Sequence, residues 1–337
     1  MGETGDKFGK ISIVGCGAVG GFYGAKLCRI GRDVHFLIRS DFEAVRSGGV
    51  RIRSVDGDFQ AHPTSARSPE EIGLCDLVIV ALKSTANHRL GELLPSLVGE
   101  HTALLTLQNG LGNEAALATL FPGRPVFGGM CFVCLNRIDP GVIQHIAHGK
   151  IVMGRHGGPP DELTEAVAAL IRSSGIPVDV SPDLEHAHWE KLVWNIPFNG
   201  LGVAGAVGLE ATLAGQLKTD QPIGSCLATD ALLDGGPWEQ LVTELMDEVI
   251  AAGRALGHDL SPDVAEHQRN RTRAMKAYLA STPIDFERGL PMELDALFRL
   301  PLGQAQATGV ETPRLAALCD LLAQLDDRRK DSGSDAA

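Results

Sequence analysis

KISIVGCGAVGGFYGAKLCRI, Lys10–Ile30, is the stretch that decides the fold. Ile11–Val14 is a short apolar run of strand type. It leads into Gly15, Gly17 and Gly20, spaced G-x-G-x-x-G, and then into a helix-like segment through Leu27. In such a loop the first glycine permits a tight turn and the second lets backbone approach a pyrophosphate. The third allows close helix–strand packing. The helix N-terminus adds unpaired N–H groups and the positive end of a dipole. The chain has 40 glycines, so the triplet alone says little. With a strand before it, a helix after it and an N-terminal position, a bound dinucleotide is favoured over a merely structural glycine turn. Gly15, Cys16, Gly17, Ala18, Val19 and Gly20 are then the candidate cofactor contacts.

The next strand, Asp33–Ile38, should end where an adenine ribose would sit. An acidic residue there would accept from both ribose hydroxyls and favour NAD. The residue that arrives is Arg39, followed by Ser40. A guanidinium can grip a 2′-phosphate, which a carboxylate would repel, so NADP(H) is favoured. The alternative is that Arg39 is a solvated charge and Asp41 takes the ribose.

At 337 residues the chain can form two domains with a well-buried core. Its net charge of -12 argues against nucleic acid and anionic membranes as partners, since both need a basic face. No apolar run approaches the roughly 20 residues of a membrane span, and Met1–Gly9 has no apolar core of a signal peptide. Seven cysteines, an odd number, suit a reduced cytoplasmic protein better than a disulfide scaffold. Cys131 and Cys134 have C-x-x-C spacing but lie in an apolar run with no second pair. They read as core residues, and no metal site is expected from them, from His145 and His148, or from His186 and His188.

Strand and helix patterns alternate through the first half. Asp76–Leu82 and Ala103–Leu107 are buried-strand runs, and Val126–Val133 and Val142–Met153 read as later, more antiparallel strands. That order implies an α/β fold with an N-terminal Rossmann-type doubly wound sheet. From Ser181-Pro182-Asp183, a helix-start signature, the pattern turns helical. The expected organisation is a flexible N-terminus at 1–9, a dinucleotide-binding domain at 10–181, an all-helical C-terminal domain at 182–325 and a disordered tail at 326–337.

Within the helical half, His188–Leu201 reads HWEKLVWNIPFNGL. Lys191, Asn195 and Asn199 are four residues apart and share a face among tryptophans and aliphatic residues. Polar groups in so apolar a segment need partners or a task. The plainer reading is a helix edge with a snorkelling lysine and two satisfied amides.

From Lys10 to about Leu325 the sequence resembles the ketopantoate reductases. The matching motifs are GCGAVG, Leu37-Ile38-Arg39, Ala81-Leu82-Lys83 and Gln108-Asn109-Gly110-Leu111-Gly112. They continue with Trp189-Glu190-Lys191-Leu192, Asn195, Asn199, and Glu287-Arg288-Gly289 followed by Glu293-Leu294-Asp295. The resemblance implies NADPH-dependent reduction of a 2-oxo acid, ketopantoate, to pantoate. It implies Lys191 as catalytic general acid and carbonyl polariser and Glu293 as active-site glutamate holding the substrate hydroxyl or the lysine. Asn195, Asn199 and Ser281 match substrate-binding positions. Asn109 and Lys83 match residues near the nicotinamide and its ribose, Asn109 also reaching substrate. Two copies can pair through the helical domain in relatives of this fold.

Departures cluster around the substrate positions. Pro197 falls between the two asparagines, Gly200 stands where relatives more often carry proline, and Thr282–Ile284 leaves the usual pattern. An insert is expected near 215–236. Another 2-oxo acid as substrate and a non-catalytic dinucleotide sensor are therefore the alternatives, and Lys191 with Glu293 argues against the sensor.

Overall fold

The computed structural model describes residues 7–334, the last four of them by backbone alone. The chain divides into two compact units, Met1–Leu184 and Glu185–Ala337. The division falls three residues beyond the expected boundary at 181/182.

The first unit is a single ten-stranded sheet with helices α1 (Ala18–Arg29), α2 (Phe42–Gly48), α3 (Pro69–Ile72), α4 (Leu90–Leu93), α5 (Asn113–Leu120) and α6 (Glu162–Ser173). Its strands are β1 (Lys10–Val14), β2 (Asp33–Leu37), β3 (Val50–Ser54), β4 (Phe59–Ala61), β5 (Thr64–Ala66), β6 (Cys75–Val80), β7 (Val98–Thr106), β8 (Val126–Asp139), β9 (Val142–Arg155) and β10 (Val178–Val180). The order is β4-β3-β9-β8-β7-β6-β1-β2-β5, with β10 also on β9. From β8 through β5 all neighbours are parallel. The long β8–β9 hairpin is antiparallel, as expected for the later strands.

The chain steps from β1 to β2 on one side and returns to β6 on the other. A topological switch point therefore lies at the C-terminal ends of β1 and β6, where open α/β sheets bind ligands. The central strands β1 and β6 and the second half of β7 are largely apolar because both their faces are covered. Ile11, Ile13, Leu77, Ile79 and Leu105 pack with Phe22 and Leu27 of α1, whereas Val14, Val78, Val80 and Leu104 pack with Leu90, Leu94 and Leu117. Alternate residues of one strand thus enter opposite cores.

The second unit has no strand among its described residues. It contains α7 (Leu184–Ala204, its first residue closing the first unit), α8 (Leu209–Ala214), α9 (Thr229–Leu232), α10 (Pro237–Ala255), α11 (Val264–Arg273), α12 (Ser281–Glu287), α13 (Leu300–Ala307) and α14 (Pro313–Ser334). No helix of the described residues is long and apolar enough to cross a membrane.

Three sequence expectations need correction. Residues 1–6 of the expected flexible N-terminus lie outside the described residues, but Phe8 is buried in the first core. The expected tail at 326–337 continues α14 through Ser334, and only 335–337 lie outside the description. Leu325 and Asp326 are buried, Asp326 pairs with Arg329 and Lys330, and Arg328 donates to the Gln221 carbonyl at 2.7 Å. Finally, α7 starts at Leu184, so Pro182 precedes the first helical position, and the Ser181 hydroxyl accepts from the Asp183 N–H at 3.3 Å.

Candidate active site

In the first unit the predicted cofactor residues sit at the C-terminal ends of four adjacent parallel strands. The glycine loop follows β1, Arg39 follows β2, Lys83 follows β6 and Asn109 follows β7. Each glycine of the triplet has a separate steric reason. Gly15 has φ +99, and a Cβ there would lie 2.4 Å from the Leu82 nitrogen. A Cβ on Gly20 would lie 2.2 Å from the Gly15 carbonyl oxygen and 3.0 Å from both Ala81 and Ile13. Gly17 is exposed, and a Cβ there would meet nothing within 4 Å. The loop is therefore packed behind Gly15 and Gly20 and open at Gly17, as close approach by a pyrophosphate requires. Gly17 caps α1 without a side-chain hydrogen bond, followed by Ala18 and Val19 as its first helical residues. Cys16 turns its thiol inward to the Ile13 and Leu37 carbonyls at 3.4 and 3.5 Å. Burial first, and then Asp41, push that thiol well above its ordinary range.

Arg39 and Ser40 are exposed beyond β2. Asp41 is buried and occupied: it takes Arg137 Nη1 at 2.8 Å, the Gly141 N–H at 3.1 Å and the Ser40 hydroxyl at 3.1 Å. Its carboxylate is committed to the β8–β9 turn. Lys83 is exposed and caps the 3₁₀ turn Ser84–Arg89, and Asn109 is half-buried.

The second unit gathers most of the predicted substrate residues around α7. Lys191, Asn195 and Asn199 are all buried, at 9%, 5% and 2% exposure, so the lysine does not snorkel. Trp189 is buried beside them, and Trp194 stacks on Phe198 and donates Nε1–H to the Thr272 hydroxyl at 2.8 Å. Asn199 Oδ1 accepts from the Ser281 hydroxyl at 3.3 Å and the Thr282 N–H at 2.9 Å, and its Nδ2 donates to the Asn195 carbonyl at 3.0 Å. This one amide joins α7 to the first turn of α12. Gly200, next along, allows close packing: a Cβ there would lie 2.5 Å from Leu318 and 2.9 Å from Phe298. Glu293 is buried two residues before a π-helical turn, Asp295–Arg299, a feature frequent at functional sites.

The expected insert is a coil over residues 216–228 followed by α9. It is tethered by Gly224 N–H to the Ala206 carbonyl, Leu227 N–H to Gly202, and Cys226 N–H to the Glu287 carboxylate at 3.0 Å. His188 is buried. No group of three or more His, Cys, Asp or Glu that could hold a metal occurs among the described residues, and none of the seven cysteines is in a disulfide. Arg269 and Arg273 of α11 reach Thr243 and Glu239 of α10.

The family profile described as "Ketopantoate reductase PanE/ApbA" matches residues 11–158, and its C-terminal counterpart matches residues 183–326. The chain belongs to the ketopantoate reductase family. It is therefore an oxidoreductase of the 2-dehydropantoate 2-reductase type. A ketopantoate reductase relative named 2-dehydropantoate 2-reductase, from a Nostoc species, is 37% identical over 95% of this chain and 96% of its own. The crystal structure of 2-dehydropantoate 2-reductase from Geobacter metallireducens superposes with a TM-score of 0.84 at 42% identity, covering 94% of this chain and 99% of that one. A D-mandelate dehydrogenase determined with NADH and anilino(oxo)acetate shares the fold, with a TM-score of 0.82 at 18% identity, covering 95% and 99% of the two chains.

One set of polar residues is brought together only by the fold. Asn87, Thr106, Gln108 and Asn113 form a largely buried hydrogen-bonded chain between the Lys83 and Asn109 loops. Its members are 21 to 26 residues apart across its two long steps, so no local spacing reveals it.

Proposed function

We propose that this chain reduces ketopantoate to pantoate with NADPH. The observation that carries the cofactor assignment is the commitment of Asp41 to Arg137, Gly141 and Ser40, which leaves Arg39 as the exposed charge after β2. A carboxylate used in this way is a poor partner for ribose hydroxyls, while a guanidinium suits a 2′-phosphate. The open backbone at Gly17 fits the pyrophosphate. When bound, the cofactor supplies the hydride.

The chain's own residues then manage the oxo acid and the proton. Lys191 polarises the 2-oxo group and donates the proton that the developing alkoxide needs. Glu293 holds the hydroxyl being formed or the lysine that protonates it. Asn195 binds substrate polar groups. Ser281 recognises the carboxylate, held in place by Asn199, whose Oδ1 already accepts two hydrogen bonds. Asn109 and Lys83 border the nicotinamide and its ribose. The assignment of ketopantoate rests on the named relatives at 37% and 42% identity. Pairing of two copies through the helical unit and a cytoplasmic setting belong to the same proposal.

The test is the initial rate of NADPH oxidation with ketopantoate beside a panel of other 2-oxo acids, aromatic ones included, and with NADH in place of NADPH. The highest kcat/KM for ketopantoate with NADPH supports the assignment. A higher value for another oxo acid reassigns the substrate and keeps the chemistry. Binding of NADPH without turnover on any oxo acid would favour a sensor.

A further inference from the structure

Lys83 and Asn109 leave adjacent strands on the same end of the sheet, one after β6 and one after β7. Neither loop is held in place by strand pairing, because both lie beyond the last ladder residues, Val80 and Thr106. What joins them is a directional series of hydrogen bonds. The Thr106 hydroxyl donates to Gln108 Oε1 at 3.0 Å, and Gln108 Nε2 donates to Asn87 Oδ1 at 2.7 Å. Asn87 Nδ2 donates to Asn113 Oδ1 at 2.9 Å, and Asn113 Nδ2 donates to the Asn109 carbonyl at 3.1 Å. Every amide accepts from the residue before it and donates to the residue after it, an arrangement in which each bond polarises the next.

Burial makes these bonds costly to lose. Thr106 and Asn113 are fully buried and Gln108 is 4% exposed. Asn87 sits in the 3₁₀ turn that Lys83 caps, and the Ala86 N–H donates to the Lys83 carbonyl at 2.9 Å. Asn113 opens α5, just past Gly110 and Gly112, whose φ values of 82 and 87 let the chain turn sharply. The network therefore starts at Thr106, the last residue of β7, passes at Asn87 through the turn carrying Lys83, and ends on the backbone of Asn109.

We infer that Asn87, Gln108 and Asn113 are positioning residues for the nicotinamide half of the cofactor. They fix the separation of the Lys83 and Asn109 loops and touch neither cofactor nor substrate. The inference rests on the assignment of Lys83 and Asn109 to that half of NADP(H). The adenine half, at the glycine loop and Arg39, lies outside the network, and that separation makes the inference testable.

The experiment uses the full chain with Asn87→Ala, Asn113→Ala and the double variant, measuring dissociation constants for NADPH and for 2′,5′-ADP. The expected result is NADPH weakened about tenfold by each single change, in line with leaving buried polar groups unmatched. The double variant should be little worse than either single one, because both cut the same link. Affinity for 2′,5′-ADP should stay within about twofold of wild type. Asn87→Asp serves where an alanine variant fails to fold. It keeps the acceptor for Gln108 but turns an oxygen toward Asn113 Oδ1, and it should give the same selective loss. Equal weakening of both ligands means a generally loosened fold and overturns the inference, as does unchanged NADPH affinity. A wild-type chain that binds 2′,5′-ADP and not NADPH, or neither, overturns the cofactor assignment itself, and the inference with it.

Discussion

Gly17 and Gly20 are three residues apart across the start of α1, yet alanine at each should act in opposite ways on stability. Gly17 has φ −74 and ψ −154, which alanine adopts, and the space around a Cβ is open. Replacing glycine at such a position restricts the unfolded chain and gains about 0.4–1 kcal/mol. In a unit of this size that is roughly 1–4 °C in Tm. Gly17→Ala should therefore be as stable as wild type or slightly more so. The added methyl would, however, push a pyrophosphate away from the α1 N-terminus. Losing one hydrogen bond to a charged group costs about 1.5–3 kcal/mol, a 10- to 150-fold loss of NADPH affinity. Gly20→Ala differs because its methyl would overlap the Gly15 carbonyl at 2.2 Å and press on Ala81 and Ile13. Overpacking of that kind costs about 1–3 kcal/mol, so Tm should fall by about 2–12 °C together with affinity. Thermal melts and NADPH fluorescence titrations on both variants decide the matter. A Gly17→Ala protein with wild-type NADPH affinity would refute the placement of the pyrophosphate at this loop.

Lys191→Ala should lower kcat by about 10²–10⁴-fold while NADPH affinity stays near wild type, measured by steady-state rates beside a binding titration. Asn199→Ala removes the acceptor for Ser281 and the Thr282 N–H, so KM for the oxo acid should rise and Tm should fall, by about 1–3 kcal/mol of stability. Stability should also fall as pH rises above about 9, the ordinary thiol value. Burial raises the thiols of Cys226 and Cys319 to about 12 and that of Cys75 to about 11. A folded-state value above the unfolded one gives stability that is complete at lower pH and is lost as pH climbs toward the folded value. Tm measured between about pH 8 and 11 should therefore drop, and Cys319→Ala should flatten part of that drop.

Sequence reading succeeds where the physics is local. The glycine triplet is legible because its spacing between a strand and a helix start is local, although the backbone at Ala81 and Leu82 that it packs against is far along the chain. The shared face of Lys191, Asn195 and Asn199 is legible because helical spacing puts it there. The partners that give these residues their roles are distant: Ser281 lies 82 residues from Asn199, and Arg137 lies 96 from Asp41. Neither pairing leaves a periodic trace. The last turns of α14 escape sequence reading for a related reason. DDRRKD is polar in composition, but Asp326 is buried among its own i+3 and i+4 cations, and Arg329 reaches back to the Gly289 carbonyl at 2.7 Å. Phe8 shows the same limit at the other end, a single aromatic in a polar stretch that finds the core.

Hydride transfer to the oxo carbon is read out by isotope transfer. Ketopantoate is incubated with the enzyme and NADPH dideuterated at the nicotinamide C4, and the product is examined by mass spectrometry and NMR. The expected product is pantoate carrying one deuterium on its carbinol carbon, formed in step with NADP⁺. Recovery of unreduced ketopantoate, or of pantoate without deuterium at that carbon, would contradict it.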